Sequence, residues 1–162
     1  MIPQQQTALE ALVSRALTES EVNQITPLAA TASHQAIADV LSAGRTEVYS
    51  RMTSARGLAE FMPGGPVAGE IVLLKLEGAR DAMLASADGQ QRVMGSLLRR
   101  QLSFLAGEGL DFGSAALRGM LDQFSALGIL TAGEVAALKS IAVRPAPITH
   151  TQVGHALQGV QA

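Results

Sequence analysis

Residues 107–142, GEGLDFGSAALRGMLDQFSALGILTAGEVAALKSIA, carry a start and a stop signal for each of two short helices, and this punctuation constrains the fold more than any other stretch. Ser114 precedes the run Ala115 to Leu127, where its hydroxyl can accept from the free amides of the first turn. Gly128 ends that run, because glycine tolerates the left-handed conformation just past a helix end, and Ile129 and Leu130 can fold back on the last turn. Thr131 with Glu134 has capping-box spacing, so a second helix starts at once. Helices joined by about three residues pack as a compact hairpin. Its expected core is Leu121, Phe124, Leu127, Leu130, Val135, Leu138 and Ile141.

A chain of 162 residues fits one domain and can bury a core. Hydrophobic residues make up 48% but aromatics only 3%, so that core is built from Ala, Leu, Val, Ile and Met, which favours closely packed helices over a β-sandwich. Charged residues are 16%, below the usual quarter; either copies or partners cover part of the surface, or an Ala-rich sequence carries Gln, Ser and Thr on its outside. The net charge of −2 is spread without runs of one sign and gives no electrostatic footprint for nucleic acid. Without cysteine there is no disulfide framework, thiolate nucleophile or sulfur-ligated zinc. The start MIPQQQTALEALV lacks a signal-peptide pattern, and the longest purely apolar run, Ile71 to Leu74, is far short of the roughly 18 residues of a membrane span, so a soluble, cytosolically made protein is expected.

Along the chain, Leu9, Leu12, Val13, Ala16 and Leu17 recur at helical spacing from near Pro3, Thr18 and Glu21 form a second capping box, and Pro27 suits a first helical position after Thr26. Ile37, Val40 and Leu41 mark a helix capped by Ser33 and closed by Gly44. RTEVYSRM, residues 45–52, reads equally as helix or extended chain. Thr53 or Ser54 caps a short helix through Phe61; MPGGP then breaks the chain, and Pro66 opens the longest helix. Its expected buried face is Val67, Ile71, Leu74, Ala79 and Met83, with Val72, Leu73 and Leu76 widening it, so it should be covered on more than one side. After Asp88–Gly89, the residues Val93, Leu97, Leu98, Leu102 and Leu105 mark another helix. VRPAPI is extended, and Thr149 with Gln152 caps a C-terminal helix running towards Gln161.

The expected fold is all-α, a compact single-domain bundle of about seven to nine short helices with a C-terminal helical hairpin. Within 1–162, residues 1–44 form variable N-terminal helices, 45–142 the helical core, and 143–162 an extended segment plus helix. Both ends are short amphipathic pieces expected to be ordered by docking onto the domain or a neighbouring subunit, so that a chain lacking residues 143–162 should fold but assemble poorly.

Catalytic chemistry is sparse. His150 and His155 are five apart and diverge by about 140° on one helix, which suits no shared metal, and His34 is remote in sequence. Glu108 and Asp111 could be read as paired carboxylates, yet acids before a helix start more often cap it, and Asp111 precedes Ser114. MPGGP lacks the lysine of a phosphate-binding loop. The second hairpin helix, AGEVAALKSIA, has no Arg, Asn or Gln to read a base edge. Neither a catalytic residue, a cofactor nor a metal site is assigned, and no enzyme is expected. Arg99 and Arg100 are an adjacent basic pair that suits a solvated face or a partner contact.

The string GLDFGSAALRGMLDQFSALGILTAGEVAALKSIAVRPAPIT, with RTEVYSRMTSARGLAEF and the IVLLKLE helix, resembles small helical proteins of unassigned role encoded in the structural and tail gene modules of tailed bacteriophages. The matching residues are Asp111 and Gly113, Met120 to Thr131, Ala136 to Ala142, and Arg144 to Thr149, with Ala146 standing where an acid is common; the likeness spans roughly residues 45–150. The resemblance implies a non-enzymatic virion subunit in the tail, fibre attachment or neck, made in the host cytoplasm. It would dock with other phage structural proteins in multiple copies of a symmetric assembly, without nucleic acid or membrane. The alternative is an assembly chaperone or host-directed binding module absent from the mature particle. The residues expected to dock are Arg99, Arg100, Val143, Ile148, Val153 and Leu157.

Overall fold

The computed structural model describes residues 1–160, and these are all-α: α1 (Pro3–Val13), α2 (Glu19–Ala30), α3 (His34–Ser42), α4 (Ala55–Phe61), α5 (Gly65–Ala85), α6 (Gly89–Ala106), α7 (Ala115–Ala126), α8 (Ala132–Ser140) and α9 (His150–Gln158). The strands β1 (Thr46–Val48), β2 (Met52–Thr53), β3 (Leu110–Asp111) and β4 (Val143–Pro145) form two two-stranded pairs, β1–β4 and β2–β3. The expected helix at Gln161 lies outside the described residues.

Backbone packing divides the chain into two compact units, Met1–Glu47 with residues 144–160, and Val48–Val143. Each has its own core. In the first, Leu9, Ile25, Ile37, Leu41 and Val153 are almost or fully buried, with Val13, Leu17, Ile148 and Leu157 beside them. Capping boxes at Thr18–Glu21 and Thr149–Gln152 start α2 and α9. Ser42 and Ile148 lock α3 to the segment before α9: the Ile148 N–H donates to Ser42 Oγ at 2.8 Å. Gly154 lies against the His34 ring, so a small residue lets α9 approach α3 closely.

Three sequence readings change here. Pro27 sits inside α2, not at a helix start; the helix continues through it, and the Thr26 hydroxyl bonds back to the Val22 carbonyl at 2.7 Å. The Ser33 hydroxyl makes no capping bond and meets Thr31 Oγ1 instead. The C-terminal segment docks within the chain, onto α1 and α3, which is one of the two places expected of it, and this changes the reading of its apolar residues as partner contacts. Ile148, Val153 and Leu157 are spent in the core of the first unit, 7%, 0% and 3% exposed, and are unavailable to a partner.

In the second unit the 107–142 hairpin forms as its punctuation dictates. Ser114 Oγ accepts from the Leu117 N–H, Gly128 adopts φ +71°, and the Phe124 carbonyl accepts from Ile129 and Leu130. Thr131 and Glu134 cap α8 reciprocally, while the other Glu134 oxygen receives Lys75 of α5 at 2.6 Å. Phe124, Leu121, Leu130, Val135, Leu138 and Ile141 are buried with Leu58, Val72, Leu76, Leu98 and Leu105. Leu127 is the exception. At the helix C-cap it is 58% exposed, because the turn at Gly128 directs Ile129 and Leu130, not Leu127, back onto the unit.

Residues 45–52, open between helix and strand, are extended. The Tyr49 N–H donates to the Ala142 carbonyl at 3.0 Å, and β2 pairs antiparallel with β3, Met52 opposite Asp111 and Thr53 opposite Leu110. Thr53 is 3% exposed and its hydroxyl has no hydrogen-bond partner. A buried unpaired hydroxyl is destabilising, whereas a methyl of the same shape is not. Thr53→Val should therefore raise stability by about 1 kcal/mol, read as a higher urea midpoint at unchanged slope.

Candidate docking surface

The long helices α5 and α6 are joined only by Ser86, Ala87 and Asp88 and pack as a hairpin in the second unit. Two glycines set which faces meet. A Cβ on Gly69 would come 3.0 Å from the Ala59 backbone of α4, and one on Gly95 would come 2.9 Å from Met83 Cβ of α5. Such approaches require that no side chain intervene. They turn Val72 and Leu76 of α5, and Leu98 and Leu105 of α6, into the core.

The opposite faces are left outward. On α5, Val67, Ile71 and Leu74 are 71%, 45% and 58% exposed; on α6, Val93, Leu97 and Phe104 are 63%, 43% and 43% exposed. This reverses the sequence assignment of Val67, Ile71 and Leu74 to the buried face, while Val93 and Leu97, which marked α6 by their spacing, lie on its outer side. Helices α4 and α6 both pack on α5 and α8 reaches its Lys75, yet among the described residues nothing covers Val67, Ile71 and Leu74. A helix apolar on two faces has lost only one to packing. Gly69 and Gly95 carried the missing signal: counting apolar residues overlooks the glycine at which a neighbouring backbone makes its closest approach.

Charges border these stripes. Glu70 and Glu77 are exposed on α5, and Arg92, Arg99 and Arg100 on α6. Among the described residues Glu70, Arg99 and Arg100 make no ion pair, whereas Arg80 is taken by Asp81 at 2.8 Å with Glu77 near enough to attract it, and Lys75 by Glu134. The Arg80 hydrogen bond holds the Asp81 carboxyl below its ordinary range, and Lys75 does the same for Glu134. Arg92 turns Nη1 onto the Ser86 and Ala87 carbonyls at the end of α5. Of the six residues expected to dock, only Arg99 and Arg100 lie on this surface; Val143 is half-buried in β4, and the other three are core.

The remaining chemical candidates do not converge. Asp111 does not cap α7; Ser114 does. Its carboxylate instead accepts from the Arg51 N–H at 2.8 Å, the Gly113 N–H at 2.9 Å and the Ser50 hydroxyl at 2.9 Å, tying the loop before α7 to residues 50–51. Glu108 stands exposed and does not share these bonds. Arg51 completes the clamp, donating to the Ile141 carbonyl at 2.9 Å and lying 3.8 Å over the Phe61 ring. A Cβ on Gly113 would collide with the Tyr49 carbonyl, which fixes glycine there. His34 rests on Gly154, His150 and His155 are exposed, and no group of three or more His, Asp or Glu among the described residues could hold a metal. Among these residues no helix is long and apolar enough to cross a membrane. The apolar void between α4, α5, α6, α7 and α8 is about 30 Å³, a packing defect about one water in size.

The clamp makes a pH prediction. Hydrogen bonds from Arg51, Gly113 and Ser50 depress the Asp111 pKa in the folded state, so its contribution is present above the unfolded value of about 3.9 and fades as pH falls through the lower folded value. Asp111→Ala should thus destabilise most at neutral pH, and its deficit relative to the parent chain should shrink in acid. Denaturant unfolding at the two extremes reads this; a deficit independent of pH would remove the carboxylate from the account.

Neither a family model, a curated protein nor a solved structure matches this chain.

Proposed function

We propose that this chain is a non-enzymatic structural subunit of a tailed-phage particle, in the tail, fibre attachment or neck, that works by protein–protein docking through the exposed apolar stripes of α5 and α6. The observation that carries the docking reading is a pair of exposed apolar stripes, three large side chains on each of two long helices and each more than two-fifths exposed. Single exposed apolar residues are ordinary, but stripes at helical spacing are the form of a helix meant to be covered. The phage assignment rests on the sequence resemblance of residues 45–150 to small helical proteins of phage structural modules. Mass spectrometry of purified particles tests it. Stoichiometric presence supports the subunit reading; absence from particles, with abundance in the infected cell, replaces it with an assembly chaperone or host-directed module.

A further inference from the structure

We propose that the second unit gates the folding of the first: residues 1–47 and 144–160 close on one another only while 48–143 is folded, and the dependence runs one way. The second unit is inserted in the first, so the first is built from two pieces of chain with the whole of the second between them. Neither piece has a core alone. Ile148, Val153 and Leu157, from beyond the insert, complete the cluster of Leu9, Ile25, Ile37 and Leu41, from before it. The ends of the insert meet within the second unit, where the Tyr49 N–H donates to the Ala142 carbonyl at 3.0 Å. The ends of the interrupted first unit meet as well: the Ala146 N–H donates to the Arg45 carbonyl at 3.0 Å, and Arg144 Nε pairs with Glu47 at 2.7 Å. A folded insert therefore delivers residue 144 beside residue 47, as a short turn would.

Magnitude decides how much this matters. The chance that a flexible chain brings its ends together falls as about the −3/2 power of its length. Replacing a closure of about four residues by an unfolded loop of about a hundred lowers it about a hundredfold. A unit of about sixty residues is marginal, so a factor of that size decides whether it is folded. The second unit meets no such cost. Its core runs from Leu58 to Ala142 within one continuous stretch, and unfolding the first unit turns residues 1–47 and 144–160 into two tails that close no loop. The order is fixed accordingly: the second unit forms first, and the first follows.

Hydrogen exchange of the full chain, read helix by helix with mass spectrometry, is the test. Phe124→Asp with Leu138→Asp puts two carboxylates at positions 2% and 1% exposed and should abolish protection in α5 to α8. In the same molecule α1 to α3 and α9 should exchange at least about tenfold faster than in the parent chain. Ile37→Asp, at a fully buried position of the first unit, should abolish protection in α1 to α3 and α9 and leave α5 to α8 within about threefold of the parent. Closure is separated from any other influence of the insert by adding Glu47→Cys and Arg144→Cys, in the paired strands β1 and β4, to the Phe124→Asp, Leu138→Asp chain, which holds no other cysteine. With the cysteine pair oxidised, as intact mass verifies, α1 to α3 and α9 should return to within about threefold of the parent, and reduction should undo the recovery. The proposal is overturned if α1 to α3 and α9 lose less than about tenfold while α5 to α8 are unprotected, or if Ile37→Asp lowers α5 to α8 by more than about threefold. It is overturned equally if the oxidised pair restores nothing. Protection that persists in α5 to α8 despite two buried carboxylates also overturns it, since the second core would then not rest on Phe124 and Leu138.

Discussion

Removing residues 143–162 is expected to unfold residues 1–47 and to leave 48–142 folded. The first unit buries Ile148, Val153 and Leu157 in the same cluster as Leu9, Ile25, Ile37 and Leu41. At about 1.5–3 kcal/mol for each buried aliphatic side chain, their loss costs about 4–9 kcal/mol, comparable to the whole stability of a small domain. The Ser42 hydroxyl also loses the Ile148 N–H that it accepts from. What would remain, α1, α2 and α3, are helices of 11, 12 and 9 residues, too short to hold themselves in water. The second core contains no residue beyond Ala142, so its cluster stays complete. Circular dichroism should show helix loss matching α1 to α3 as well as α9, and limited proteolysis should degrade the chain to a fragment near residue 48. Retention of full helicity in residues 1–47 would mean that α9 is dispensable to that core.

This expected outcome differs from the sequence expectation that a chain without residues 143–162 stays folded, since the sequence left the tail to dock on the domain or on a neighbour, and the reason lies in what a stripe of four apolar residues reveals. Val153, Ala156, Leu157 and Val160 show that α9 has an apolar face but not what covers it. The occupant is α1 and α3, more than a hundred residues away, and no local pattern encodes that distance. Punctuation travels better. The capping boxes at Thr18–Glu21, Thr131–Glu134 and Thr149–Gln152 all form, and Ser54 and Ser114 both cap as their places imply, because each motif completes its bonds within four residues. Helix existence follows from such local chemistry, and the choice of face does not. On α5 the sequence offers two apolar faces, and Gly69 decides between them through the close approach of α4, a three-dimensional fact. The exposed apolar stripe of α5 was therefore legible as an excess of apolar residues, while its position was inverted. Asp111 shows the same limit: its acidity near a helix start was visible, but its partners, Ser50 and Arg51, lie about sixty residues upstream.

Phe124→Ala should cost the second unit about 3–5 kcal/mol, towards the upper end of that range. The ring is 2% exposed and lines the same void as Val72, Leu98, Leu121 and Leu138. Cost in large-to-small substitutions grows with the cavity that survives relaxation, and here the lost ring would join an existing space of about 30 Å³. Collapse is also obstructed. The Phe124 carbonyl accepts from Ile129 and Leu130, so its backbone is fixed by the turn at Gly128, and Gly95 already holds α6 at minimum distance from α5. The walls cannot close on the missing ring without breaking one of these. Leu127→Ala, three residues on and 58% exposed, provides the internal comparison and should shift stability by no more than about 0.5 kcal/mol. Urea unfolding of both variants reads the difference. If Phe124→Ala lowers stability by less than about 1 kcal/mol, the void collapses and the hairpin is softer than its capping implies; if Leu127→Ala costs as much as Phe124→Ala, the inward side of α7 has been misassigned.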